Sequence, residues 1–188
     1  MKTPAEYKEM EFIELLIVIA KLFKPKVYME LGTKNGYTIK RMAQFVERAI
    51  GVDIRQLDLD LPNVTTITGT TQAYAESIVN SGEFIDLLFI DADHSYEASY
   101  NDFSKYLPLV RSGTGLIVMH DTHPIKPELA VDGRCGTAWK SARKIHELGR
   151  NVLNVEIVTL PGPWAGLSII RKLGPFHLAW QKEGEDAA

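Results

Sequence analysis

The sequence predicts an α/β domain, a mostly parallel sheet with helices on both faces that ends in an antiparallel hairpin. Three observations predict it. Short apolar runs alternate with helix-period segments from residue 26 to residue 150, the pattern of a wound sheet. Two of those runs, Phe84-Ile-Asp-Leu-Leu-Phe-Ile90 and Gly115-Leu-Ile-Val-Met119, are almost unbroken in hydrophobic residues, as strands covered on both faces are. The last two runs follow one another with no helix between them, which leaves a hairpin.

Each element has its own signal. Tyr7, Met10, Phe12, Ile13, Leu16, Ile17, Ala20 and Phe23 keep helical spacing, and Pro25 closes the segment, so Ala5 to Phe23 reads as an amphipathic N-terminal helix. Lys26 to Leu31 is the first strand and Tyr37 to Glu47 its helix. Ala49 to Asp53 follows with a weak helix, then Val64 to Thr68 with a helix over Gln72 to Asn80. Phe84 to Asp91 precedes a helix over Tyr96 to Val110, and Gly115 to His120 precedes one over Thr137 to Arg150. Val155 to Leu160 and Leu167 to Arg171 form the hairpin. The irregular stretch Thr122 to Gly136 holds two prolines and two glycines and is the longest loop, suited to a lid or to a plain connection.

Composition narrows the function classes. The 188 residues are 45% hydrophobic and 24% charged, with 21 Lys+Arg against 24 Asp+Glu and a net charge of −3. This fits one globular domain with a sizeable core, and a cytoplasmic one. The near-neutral balance argues against a nucleic-acid surface. Phe12 to Phe23 is interrupted by Glu14 and Lys21, so it reads neither as a membrane span nor as a signal peptide. Cys135 is the single cysteine, which excludes an intramolecular disulfide and a cysteine-based zinc site.

The chemistry gathers at strand ends. The first strand runs into Met29-Glu-Leu-Gly-Thr-Lys-Asn-Gly-Tyr-Thr38, a strand, a glycine-bearing turn and a helix start. Ligands of open α/β sheets bind outside the carboxyl ends of the strands, where the winding reverses. Gly32 and Gly36 allow close backbone approach, and the amides opening the helix favour an anion. The same glycines also suit a tight turn with no ligand. Their spacing does not fit the dinucleotide fingerprint, which argues against an NAD-dependent oxidoreductase. Asp53 ends the second strand about twenty residues later, where a carboxylate accepts both ribose hydroxyls of an adenosine or else caps the turn at Arg55.

These residues, with Gly51-Val-Asp53, Asp91-Ala-Asp-His94-Ser-Tyr96 and Met119-His-Asp121-Thr, resemble class I S-adenosylmethionine-dependent methyltransferases. The resemblance is narrower to the small O-methyltransferase-like branch, methyltransferase family 24, a relative of bacterial sugar O-methyltransferases. It runs from about Lys26 to Arg171. It implies a Rossmann-like, seven-stranded, mostly parallel sheet with the last strand inserted antiparallel, and S-adenosylmethionine as cofactor. By the same resemblance Glu30, Gly32, Thr33 and Gly36 surround its methionine part, Asp53 holds the ribose, and the Gly69-Thr70-Thr71 turn lies near the adenine. Asp91 faces the cofactor's amino group or a metal. The domain then occupies residues 26–175, with residues 1–25 as a helix packed on it and 176–188 as a tail.

Methyl transfer to a hydroxyl needs an acceptor lone pair in line with the methyl carbon and a place for the proton. His94 is the candidate base beside Asp91, because an imidazole near its reference pKa of about 6.5 takes a proton at neutral pH. Related sugar O-methyltransferases carry a histidine three residues after the corresponding Asp. The acids and imidazoles Asp91, Asp93, His94, His120, Asp121 and His123 are equally able to bind a divalent ion or to cap helices, and Asp93 and Ser95 read as N-cap residues. Some relatives hold Mg²⁺ there, which would make Asp91 and Asp121 ligands. His120 replaces an acid of that set and favours softer ions such as Mn²⁺ or Zn²⁺ over Mg²⁺. No separate substrate domain fits in the length. Recognition of a small-molecule methyl acceptor therefore falls to the N-terminal helix, the Thr122 to Gly136 loop, the Trp164 turn or the second subunit of a homodimer. The contrasting reading is a cofactor- or partner-binding module that kept the fold and lost turnover.

Overall fold

The computed structural model describes residues 11–132, 134–162 and 165–174. Ala5 to Met10, Trp164 and the 176–188 tail lie outside the described residues. Seven strands form one sheet in the order β3-β2-β1-β4-β5-β7-β6: β1 (Val27–Leu31), β2 (Arg48–Asp53), β3 (Val64–Thr68), β4 (Leu87–Ile90), β5 (Leu116–His120), β6 (Val155–Leu160) and β7 (Leu167–Lys172). The first five run parallel, and β7 is inserted antiparallel between β5 and β6. The winding reverses between β1 and β4, as an open α/β sheet requires for a ligand site.

Alternation along the strands sends side chains to two faces. Tyr28, Ala49, Phe89 and Val118 pack against Leu16, Ile19 and Ala20 of α1 (Glu11–Phe23) and against Ile39 and Met42 of α2 (Tyr37–Met42). Met29, Val52, Leu88 and Ile117 face the other way, onto Ala75 of α3 (Thr71–Ile78), Phe103 of α4 (Tyr96–Tyr106) and Ile145 of α5 (Ala138–Leu148).

Three expectations change. No helix forms between β2 and β3. Leu57-Asp-Leu-Asp-Leu-Pro62 alternates with period two and ends in proline, so its leucines serve one side of an extended segment; Leu59 and Leu61 pack on the α1/α2 cluster. The fourth strand is shorter than its apolar run, because Ile85 bridges only Val110 and Asp86 turns its carboxylate to other work. Its oxygens accept the amides of Lys26 and Val27 and the Arg111 guanidinium, tying down the start of β1. The helices after Tyr37 and Tyr96 end in short 3₁₀ turns, Ala43–Phe45 and Leu107–Leu109.

At the second of those turns Lys172 of β7 closes the end of α4. Its ammonium donates to the carbonyls of Leu107, Pro108 and Val110 at 2.8, 3.1 and 2.7 Å, at a helix end where the dipole also favours a cation. Lys172→Met keeps the chain length and removes the three donors. Urea unfolding of that variant is predicted to show a loss of roughly 1–3 kcal/mol; an unchanged midpoint would show that water replaces the ammonium without cost.

Candidate active site

A cleft of about 900 Å³ opens at the carboxyl ends of the strands where the winding reverses. It is lined by Glu30, Gly32, Thr33, Asp53, Thr70, Asp91, His94 and Asp121, so it gathers all the candidate site residues except Gly36. Gly36 lies behind the lining. It is the N-cap of α2, with φ of 75°, and a Cβ there would stand 3.1 Å from Leu57.

Local geometry accounts for each wall. Gly32 leaves β1 with φ of 90°, and a Cβ on it would stand 2.2 Å from the Asp91 carbonyl oxygen, so only glycine lets the turns after β1 and β4 meet. Asp53 joins β2 to that turn: its two oxygens accept the Lys34 amide at 2.6 Å and the Arg55 amide at 2.8 Å. The turn contact at Arg55 and a place on the cleft wall are thus compatible, not alternatives. Thr70 caps α3 by accepting from Ala73, and Ser95, supported by Asp93, caps α4.

Four side chains close a ring at the ends of β4 and β5. His94 Nδ1 lies 2.9 Å from Asp121 and its Nε2 3.5 Å from Asp91. His120 Nδ1 lies 3.3 Å from each of the same two carboxylates. His94 also hydrogen-bonds the Arg134 carbonyl, and Thr137 donates its amide to the His94 carbonyl, so the end of the long loop is docked on this histidine. Asp121 holds a left-handed backbone, φ 59°, an unusual conformation fixed by these contacts. His123 lies outside the ring and lines a smaller hollow.

The ring sets the charge states. Hydrogen bonds to Asp121 and then Asp91 push the His94 pKa up to about 11. Burial opposes a charge on His120, but its bonds to the same two acids prevail and raise it to about 10. Burial would likewise raise Asp121, yet the two imidazoles hold it well below the carboxylate range. His94 is therefore an imidazolium at neutral pH, and the expectation of a free imidazole near its reference value does not hold: two carboxylates compete for its proton. Glu30 differs. Burial raises it to about 8 despite the Tyr28 hydroxyl donated at 2.7 Å.

Among the lining residues that the sequence reading of the site did not name, Phe12 and Asp102 stand out. Phe12 of α1 stacks on Phe89 and tilts against His120 at a centroid distance of 4.7 Å. Its helical spacing marked it as an apolar residue of a helix that was a candidate for acceptor recognition, without singling it out. Asp102 of α4 accepts from the Thr71 hydroxyl at 2.5 Å and lines the cleft while almost wholly buried. Its signal was present: Ser99, Asp102, Phe103 and Tyr106 form the buried stripe of α4, and an acid on such a stripe is exceptional.

Residues 29–122, half of the chain, match the family model described as a methyltransferase domain, methyltransferase family 24. The chain belongs to this methyltransferase family. No curated protein matches it. Among solved structures, the family member is similar to the O-methyltransferase TomG from Streptomyces achromogenes, involved in tomaymycin synthesis and solved with SAM, at TM-score 0.66 and 17% identity over 87% of this chain and 80% of that one. An O-methyltransferase from Bacillus cereus in complex with SAH gives TM-score 0.64 and 20% identity over 92% and 83%. At these identities the likeness establishes the methyltransferase fold.

Asp102 generates a pH prediction. Burial raises its carboxyl to about 6. Between the unfolded value of about 3.9 and that pKa the folded chain holds a proton that the unfolded chain has lost, so this group's contribution to stability falls as pH rises through the window. Asp102→Asn removes that slope and still accepts from Thr71. Relative to the parent, the variant is predicted to gain on the order of 2 kcal/mol between pH 4 and pH 7 in denaturant unfolding; parallel profiles would mean that Asp102 is ionised in the fold.

Proposed function

We propose that this chain transfers the methyl group of S-adenosylmethionine to a hydroxyl of a small molecule. The observation that carries the reading is the junction of two turns in one cleft: the glycine turn with Asp53 on one side, and the Asp91, His94, Asp121 and His120 ring on the other. The first half suits an adenosine bearing a charged amino-acid part. Asp53 keeps lone pairs for ribose hydroxyls, Thr70 and Thr71 stand at the adenine end, and Glu30, Gly32 and Thr33 surround the methionine part. The second half suits an acceptor oxygen held in line with the methyl carbon. The oxygen attacks that carbon, the carbon–sulfur bond breaks, S-adenosylhomocysteine leaves, and the hydroxyl proton passes to the Asp91 carboxylate, since both imidazoles of the ring already carry theirs.

Within that ring Asp91 and His94 act as a couple. The imidazolium donates to the acid and orients it, and its charge steadies the acceptor oxygen while the carboxylate takes the proton. His94→Ala is predicted to spare cofactor binding and to lower turnover about 10²–10³-fold, the scale of a lost charged donor at the reacting oxygen; unchanged turnover would remove His94 from the mechanism.

A divalent ion is implied by some relatives, and the residues fit one. Asp91, His94 and Asp121 each offer a ligand atom, all within 4.8 Å of one another, His94 by giving up its proton as the ion binds. A set containing imidazole suits Mn²⁺ or Zn²⁺ better than Mg²⁺, which prefers oxygen alone. Such an ion, when bound, would neutralise and orient an acceptor oxygen. Thermal melting is predicted to rise with Mn²⁺ more than with Mg²⁺ at equal concentration, and to lose that response in Asp121→Asn; equal responses to both ions would contradict this donor assignment.

Calorimetry tests the cofactor directly. S-adenosylhomocysteine is predicted to bind well below the millimolar range, and Asp53→Ala to weaken it about 10- to 100-fold, the scale of lost charge-assisted hydrogen bonds. Absence of binding to the unaltered chain would overturn the reading.

A further inference from the structure

A second hollow, of about 320 Å³, lies in the loop that follows β5. Its size is that of a small-ligand pocket. Pro124, Ile125, Pro127 and Trp139 supply apolar walls, and Lys126 and His123 supply polar ones. Ile125 remains 47% exposed, apolar surface left in contact with water.

The hollow adjoins the site already described along the chain. Asp121 lines the large cleft and Thr122, its neighbour in the chain, lines the small one. Consecutive Cα atoms are about 3.8 Å apart, so the two linings meet at this peptide. Both residues are buried.

The walls are also held in place. At the loop's start the His123 amide donates to the Ala165 carbonyl at 2.6 Å, and a Cβ on Gly166 would stand 2.4 Å from His123 Cβ. At its end Thr137 is hydrogen-bonded to His94, and a Cβ on Gly136 would stand 2.5 Å from the His94 carbonyl oxygen. Between them Leu129 and Cys135 bury themselves with Ala165 as a small core of their own. Two prolines with fixed φ complete a pocket formed before any ligand arrives, and preorganisation of that kind lowers the entropy lost on binding.

We propose that this hollow seats the non-reacting part of the acceptor, and that this part is a flat apolar ring carrying an anionic group. Trp139 and the prolines offer faces on which a ring stacks, and Lys126 offers the counter-charge. The hydroxyl then extends past Thr122 toward Asp121 and the imidazoles. This inference rests on the methyl-transfer reading, because it takes the acceptor to react in the adjoining cleft.

The test uses the full chain saturated with S-adenosylhomocysteine, whose binding is measured first. The three isomeric hydroxybenzoates and their uncharged methyl esters are titrated into the parent, Trp139→Leu and Lys126→Gln by calorimetry and ligand-observed magnetic resonance. At least one hydroxybenzoate is expected to bind below about 10 mM, Trp139→Leu to weaken acid and ester alike by about tenfold or more, and Lys126→Gln to weaken only the acid. A cofactor-loaded chain that binds none of the acids, or binds them equally in all three proteins, overturns the inference and leaves the cofactor reading standing. Failure to bind S-adenosylhomocysteine at all overturns both.

Discussion

The structure depends on the close approach of two turns. Gly32, leaving β1, and Asp91, leaving β4, press together so tightly that a single added carbon would stand 2.2 Å from the Asp91 carbonyl oxygen. The winding of the sheet reverses between these strands, so this contact is where the two halves of the fold share one opening. Asp53 extends the junction sideways by holding the Lys34 amide. The cleft exists because a residue without a side chain stands at one position, and the chemistry lines up along its edges as a result.

Charge at the far edge is arranged by mutual constraint. Two carboxylates and two imidazoles close a ring in which each acid meets both imidazoles. Low-dielectric surroundings make an unpaired charge costly, so the ring favours the state in which every charge is matched. Phe12 closes its outer side against His120, and the docked loop closes its upper side through His94. Glu30, lacking a cationic neighbour among the described contacts, responds to burial in the opposite way and holds its proton near neutrality.

Much of this was legible in the sequence, for physical reasons. Glycines at 32 and 36 and an acid at 53 mark a turn and a strand end by local chemistry, and the unbroken apolar runs mark strands covered on both faces. Seven strands with an antiparallel last insertion followed from the resemblance that those residues carry. Other features were decided by tertiary placement. The protonation of His94 depends on Asp121, which arrives from another strand, so local reading left it at its free value. Phe12 was visible as an apolar helix residue, but not as part of a cleft wall, because spacing gives a face and not what the face meets. The Leu57 to Leu61 segment was misread because alternating Leu and Asp supply apolar residues at several spacings, and Pro62 limits what a helix there can do.

The central claim is that the glycine contact after β1 builds a cofactor cleft, and one variant addresses it directly. Gly32→Ala, with its cooperative unfolding measured alongside, is titrated calorimetrically with S-adenosylhomocysteine. The account predicts a folded chain whose affinity falls at least about tenfold, since the alanine forces the Asp91 turn away from the glycine turn. A folded Gly32→Ala chain that binds with the parent's affinity would contradict it.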